Sequence, residues 1–206
     1  ATIAAPAGDD FTIECWFRTV QVTGEDADWR LGAGLMVSAA DTPETAYGVS
    51  VGNGRLLFGV GDETLQGPFV ADGFWHHVAA VRQRADGQLT LFVDGRYFGT
   101  ASGGTGRLGA VGDVLRLGSR DGQAGFLCGQ IDEVRVWDVA RTEGEIGQTM
   151  YRPLDPAAAG NAGLVAWYNF NHSGGTVLAD RSGKGRTGAL AGSGPAAWVA
   201  SGIELP

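Results

Sequence analysis

Apolar and polar residues alternate at period two through most of this chain, and glycine-containing turn dipeptides cut the alternation into short runs. In Phe11-Thr12-Ile13-Glu14-Cys15-Trp16-Phe17-Arg18 the odd positions form one apolar face, while Thr12, Glu14 and Arg18 look outward with Trp16 among them. That is the pattern of a half-buried strand. AYGVSV and RLLFGV meet across Gly52-Asn53-Gly54, where Asn and Gly tolerate the positive φ of a tight hairpin. FWHHVAAVRQ and QLTLFVD flank Asp86-Gly87, and Asp94-Gly95 leads into RYFG, which extends an antiparallel meander. VLRLGS, FLCGQIDEVRVWD and GLVAWYNFN read as further strands. The one credible helix is Thr142 to Thr149, opened by Thr142 three residues before Glu145 and kept short by Gly144 and Gly147.

Many short strands with regular turn signals and almost no helix predict an all-β, antiparallel two-sheet β-sandwich with one short helix. The chain has 206 residues, 44% of them hydrophobic, enough for one sizeable core, so residues 1–206 are expected to form a single domain. YRPLDPAAAGNAG is a surface linker, and 171–206 is a loop-rich extension that packs on the sandwich or leads into a following repeat. Thirty-five glycines, more than twice the usual share of about 7%, fit a chain of many turns.

Charge narrows the partners. A net charge of −8 and cations scattered singly argue against nucleic acid. No run approaches the roughly 18 apolar residues of a membrane span, so membrane insertion is not expected. The start, ATIAAPAGDD, lacks the regions of a signal peptide and reads as that of a mature or excised piece of a longer protein. Fourteen of the fifteen cations are arginine, Lys184 being the one lysine, a bias that suggests a bacterial source.

Several strings look catalytic. Gly48-Val49-Ser50-Val51-Gly52 spells a nucleophile elbow but continues into another strand instead of a helix. Gly104-Thr105-Gly106-Arg107-Leu108-Gly109 matches a dinucleotide fingerprint without the following helix. His76 and His77 point to opposite faces of a strand and cannot share one metal, so one imidazole should be hydrogen-bonded inside the sandwich and the other outside. Asp132 and Glu133 are strand neighbours, a poor pair for glycoside hydrolysis. The chain is therefore expected not to be an enzyme. Cys15 and Cys128 both sit in apolar strand-like runs, either bridged or as two buried thiols. Four tryptophans, Trp16, Trp75, Trp137 and Trp167, lie in apolar strands and read as core. Trp29, in the polar segment Glu25 to Arg30, is a candidate ring for stacking on a sugar. Asn171-His172-Ser173 is a glycosylation sequon that matters only in a eukaryotic secretory pathway.

Taken together, FTIECWFR, WHHVAAVRQRADGQLTLFVDG, LRLGSRDG and GQIDEVRVWDVARTEGEI resemble the laminin-G-like jelly roll of the concanavalin A-like lectin and glucanase superfamily, with a pentraxin-like layout over about residues 10 to 170. LVAWYNFN and ADRSGKGRTG are similar to a W-x-F and D-x-S-G-x-G segment common in such modules. The resemblance implies a concanavalin A-like jelly roll and a secreted or cell-surface recognition or adhesion module, binding a glycan or protein ligand through its loops within a larger multidomain chain. Two rival readings stand beside it: a structural spacer of a large adhesin, fibre or toxin, and a degenerate glycosidase-like enzyme. The pentraxin likeness implies calcium at Asp41, Glu44 and Asp121, against solvated loop acids, with Arg120 set to oppose a cation there. Asp180 is a second candidate, weighed against a turn-capping role. Trp29, Arg120 and Asp121 are the candidate ligand-binding residues.

Overall fold

The computed structural model describes residues 1–5, 10–40, 42–108, 114–171, 174–190 and 198–200. Among these, fourteen strands form two antiparallel sheets. The larger runs in the order β13 (Val177–Leu178), β14 (Gly188–Ala189), β1 (Thr2–Ala4), β10 (Val114–Leu117), β3 (Ala33–Ser38), β4 (Tyr47–Gly52), β5 (Arg55–Val60) and β6 (Glu63–Phe69). The smaller runs β12 (Leu164–Tyr168), β11 (Gly129–Trp137), β2 (Phe11–Thr19), β7 (His76–Gln83), β8 (Gln88–Val93) and β9 (Arg96–Ser102). This is the two-sheet sandwich expected from the alternation and its turns, in the jelly-roll form that the resemblance implies. Asn53-Gly54 (φ 49° and 75°) and Asp94-Gly95 (φ 51° and 74°) supply the left-handed pairs that close the β4–β5 and β8–β9 hairpins.

The core lies between the sheets. Phe11, Ile13, Cys15 and Phe17 of β2 face Val49, Val51, Leu56 and Phe58, and Phe11 meets Phe58 edge-on at 6.4 Å. Burying each such side chain stabilises the fold by about 1.5–3 kcal/mol. Both cysteines are free: Cys15 is buried in this core, whereas Cys128 is exposed, which corrects the expectation of a bridge or of two buried thiols. The missing bridge leaves no gap in a core this extensive.

The other face of β2 departs from the half-buried pattern: Thr12, Glu14 and Trp16 are buried too. The reason is a lid. Helix α1 (Glu143–Thr149) lays Ile146 on Ala79, Val81 and Phe92, and Leu154 joins Trp137, Leu164 and Trp167. The predicted capping box is formed, with Thr142 Oγ1 accepting from Glu145 N and Glu145 Oε2 accepting from Thr142 N. Under the lid, Trp137 Nε1 donates to Glu14 Oε1 at 3.0 Å, and Arg141 and Arg135 approach the same oxygen at 3.4 and 3.8 Å. Arg135 also donates to Thr149 O and Arg152 O, tying the carbonyls at the helix C-terminus to the sheet.

A bulge in β11 overrides the simple alternation predicted for Asp132 and Glu133. Asp132 registers with Trp16 and Arg135 with Glu14, while Glu133 (φ 51°) turns its carboxylate to Arg135 and to Trp167 Nε1, at 3.0 and 2.8 Å. Both acids are buried, and Asp132 Oδ1 accepts from Glu133 N.

Residues 177–178 and 188–189 are part of the larger sheet. β14 pairs with β1, and Tyr168 Oη accepts from Ala4 N while donating to Arg186 O. Burial, the larger influence, pushes the Tyr168 hydroxyl up to about 12. Asp180 Oδ1 accepts from Trp167 N and Ser182 N, and Oδ2 from Ser182 Oγ and Arg186 N. Burial opposes the charge, yet these donors outweigh it and hold the carboxyl below its ordinary value. Asp180 therefore caps the D-x-S-G-x-G turn, with both oxygens already committed.

Candidate functional site

The end of β2 brings several loops together. Beyond Thr19 the chain loses its sheet partners, and Val20-Gln21-Val22 runs across the end of the sandwich. Gln21 is the joint: its Nε2 donates to Phe126 O and Thr23 Oγ1, and its Oε1 accepts from Cys128 N. Gly73 N donates to Thr19 O and Asn53 N to Thr23 O. Loops 20–32, 53–54, 70–75 and 118–128 thus share one end.

Four large apolar side chains of that end are open to water. Phe74 is 71% exposed, Val20 70%, Phe126 58% and Val22 52%. Beside them Arg18 lies over the Trp75 ring, 5.2 Å from its centroid, and its Nε donates to Gln130 Oε1 at 2.6 Å. Trp75 is only half-buried, unlike Trp16, Trp137 and Trp167, which are core as expected. None of the rim residues was singled out by sequence. The available signal was an aromatic next to a turn glycine, Gly73-Phe74 and Gly125-Phe126, together with Val20-Gln21-Val22 continuing a strand past its last partner.

Trp29 is not on this surface. It is 1% exposed, lying flat on β4 and β5 with Val37 and Leu57, and its Nε1 donates to Gly61 O at 3.1 Å. The acidic residues around it suggested water, but Gly48 and Gly59 leave a slot in the sheet that only a flat ring fills: a Cβ at Gly59 would sit 1.9 Å from Trp29 Cδ1. Ser50 of the elbow-like string lies in β4 and donates its Oγ to Trp29 O at 2.6 Å, a strand residue as read from the sequence.

Arg120 and Asp121 do belong to the loop end, within 118–128. Asp121 Oδ1 accepts from Gln123 N and Ala124 N at 2.7 and 2.6 Å, and these amides, first Gln123, hold the carboxyl below its ordinary value. Arg120 Nε stands 3.6 Å from Asp121 Oδ2. Glu44 is elsewhere. It sits on the 3-10 turn Pro43–Thr45 before Tyr47, and Tyr47 registers with Val60 at the far end of β4, whereas Ser119 packs on Gly34 at the near end of β3. Glu44 and Asp121 are therefore at opposite ends of the sandwich, and they do not form the calcium set expected with Asp41, which lies outside the described residues. Among the described residues, no three His, Cys, Asp or Glu side chains are grouped to hold a metal ion. His172 of the sequon also lies outside them.

The adjacent histidines face opposite sides of β7, as expected, but the hydrogen-bonded ring is His76, and the buried His77 ring lies under the lid with no partner for Nδ1, which corrects the expectation of a hydrogen-bonded imidazole inside the sandwich. His77 registers with Trp16 on the lid side, where burial, the largest influence, lowers it to about 4; His76 registers with Phe17 and stands at the rim.

Comparison with known proteins agrees with this fold. A family model described as the concanavalin A-like lectin/glucanases superfamily, Laminin_G_3, matches residues 2–147. Neuronal pentraxin-2 of Cavia porcellus is 26% identical over 172 residues, 78% of this chain, and the chain spans only 38% of that relative's length. In structure, a candidate carbohydrate-binding protein from Bacteroides ovatus matches 90% of this chain and 54% of its own, with a TM-score of 0.69 and 22% identity. The CBM40 domain of the Ruminococcus gnavus IT-sialidase, bound to α2,3-sialyllactose, matches 69% of this chain and 83% of its own, with a TM-score of 0.52 and 19% identity. Among the described residues no helix is long and apolar enough to cross a membrane. From β1 through α1, the chain belongs to the concanavalin A-like lectin/glucanases superfamily.

Proposed function

We propose that this lectin-like domain is a non-catalytic recognition module that binds a glycan on the loop end of the sandwich, as one part of a longer secreted or surface protein. The observation that carries the reading is the exposure of Phe74 and Phe126 on two loops that both bond to the segment 19–21, with Arg120 and Asp121 on the same loop as Phe126. A sugar ring presents apolar C–H faces and a hydroxyl rim, and the pairing of open aromatic faces with charged hydrogen-bonding groups suits both. Rigid strands hold the loops, so little ordering entropy is lost on binding. The superfamily and the carbohydrate-binding structural neighbours support the ligand class. The guanidinium of Arg120 beside Asp121 and the distance of Glu44 favour binding that does not depend on calcium.

A glycan array run with and without EDTA tests this. Binding is expected in both conditions, and Phe74→Ser and Phe126→Ser are each expected to weaken it about tenfold or more while leaving Tm unchanged. An array silent under both conditions would favour the spacer reading. Binding that survives both substitutions would move the site off this rim.

A further inference from the structure

His76, the first residue of β7, is held by two carboxylates from two different loops. Its Nδ1 is 3.0 Å from Asp94 Oδ2 in the β8–β9 turn, and its Nε2 is 3.2 Å from both oxygens of Asp72 in loop 70–75. A neutral imidazole has one N–H and one lone pair, so it can donate to only one of them and turns its lone pair on the other. Only the imidazolium satisfies both. Each carboxylate also shapes its own loop: Asp72 Oδ1 accepts from Phe74 N, and Asp94 Oδ1 accepts from His77 N, both at 2.9 Å. The ring therefore joins the loop that presents Phe74 to a hairpin anchored in the sheet. The charged groups facing it are Asp94 and Asp72, while β2 contributes the uncharged Phe17 ring at 6.4 Å.

We propose that His76 is a pH-operated latch on the recognition surface: protonated, it fastens loop 70–75, and with it Phe74 and Trp75, to the β8–β9 turn, and on losing its proton it releases Asp72 and loosens the loop, which the bonds of Val70 N to Gly54 O and Gly73 N to Thr19 O still tether. This rests on reading that rim as the binding surface. The direction follows from the charges. The Asp94 hydrogen bond, opposed by burial and aided by Asp72, raises His76 above its ordinary 6.5. A raised folded value means that the latch is fully engaged below 6.5 and is lost as pH rises through that higher value. Asp72 and Asp94 are both held below 3.8, so they stay charged throughout this range. His77, lowered to about 4, responds only in stronger acid. The module would present a fixed loop in weakly acidic surroundings and a looser one in alkaline ones.

An NMR titration of the ligand-free domain from about pH 5 to 9 tests the latch without any glycan. The expected result is a His76 ring that titrates above 6.5, with the Phe74 amide and Trp75 indole signals moving at the same midpoint and broadening or gaining amide exchange on the alkaline side. In His76→Gln those loop signals should no longer move, and in Asp72→Asn the His76 midpoint should fall. A ring titrating at or below 6.5, or loop signals indifferent to it, overturns the latch even if glycans bind. Coupled titration beside a silent glycan array supports the latch while removing the glycan reading.

Discussion

The outer faces of the two sheets are both covered, by opposite means. On the six-stranded sheet the cover is side chains: Glu14, Arg135, Arg141, Trp137 and Trp167 fill the space beneath α1, with Arg141 stacked 3.9 Å from the centroid of Trp137. On the eight-stranded sheet the cover is loop backbone and the flat Trp29 ring, lying directly on strand positions that have no side chains. A Cβ at Gly52 would stand 1.8 Å from Glu25 O, and one at Gly34 would stand 2.4 Å from the Ser119 carbonyl carbon. A sheet face can thus be closed by charged residues that must be matched or by glycines that must stay empty. The first fails when a partner is removed, and the second when an atom is added.

Removing a partner should have the larger effect. Glu14 is fully buried and is the carboxylate toward which Arg135 and Arg141 converge. Glu14→Leu keeps the volume but leaves both guanidinium groups without that charge, and Trp137 Nε1 without its acceptor. Breaking a buried pair from one side costs about 3–5 kcal/mol, to be read from urea denaturation with an unchanged m-value. A loss under about 1 kcal/mol would mean that Glu133 and the carbonyls of Thr149 and Arg152 suffice for the arginines.

Adding an atom is the matching test on the other face. In Gly59→Ala the methyl would meet Trp29 Cδ1 at 1.9 Å and Glu63 O at 2.4 Å, so the indole must move and loosen its bond to Gly61 O. Overpacking of this kind costs about 1–3 kcal/mol. A Trp29 fluorescence change should accompany the lower Tm, since the ring is the group displaced. An alanine tolerated without either change would show that the loop does not need the bare strand.

These two faces also mark where the sequence could be read and where it could not. The sandwich, the Asn53-Gly54 and Asp94-Gly95 hairpins and the Thr142 capping box follow from local rules, and the structure has all of them. Local rules fail where distant segments meet. Glu14 looked solvent-facing because alternation in β2 carries no trace of a helix some 130 residues later. Trp29 looked exposed because its neighbours are acidic, while the slot that takes it is made by Gly48 and Gly59. Arg120 and Asp121 lie on loop 118–128, while the Glu44 end of the expected metal set depends on register, which no single strand specifies. The rim of Phe74, Phe126, Val20 and Val22 was missed because an exposed apolar residue in a loop looks, in sequence, like any short core run.

The smallest expected effect has the opposite sign and separates the two uses of glycine. Gly144 lies inside α1, on the lid that closes the charged face, and a Cβ there meets nothing within 4 Å. Its backbone is helical, so alanine fits without strain and removes freedom that the unfolded chain would otherwise keep. Gly144→Ala should therefore stabilise the domain by roughly 0.5–1 kcal/mol, a rise in Tm of a few degrees at most for a chain of this size. The same substitution at Gly59 should lower stability. If both positions responded alike, glycine abundance would be a matter of composition. Opposite signs would tie it to the loops packed on the eight-stranded sheet, where Gly34, Gly52 and Gly59 are absences that the backbone or ring above them requires.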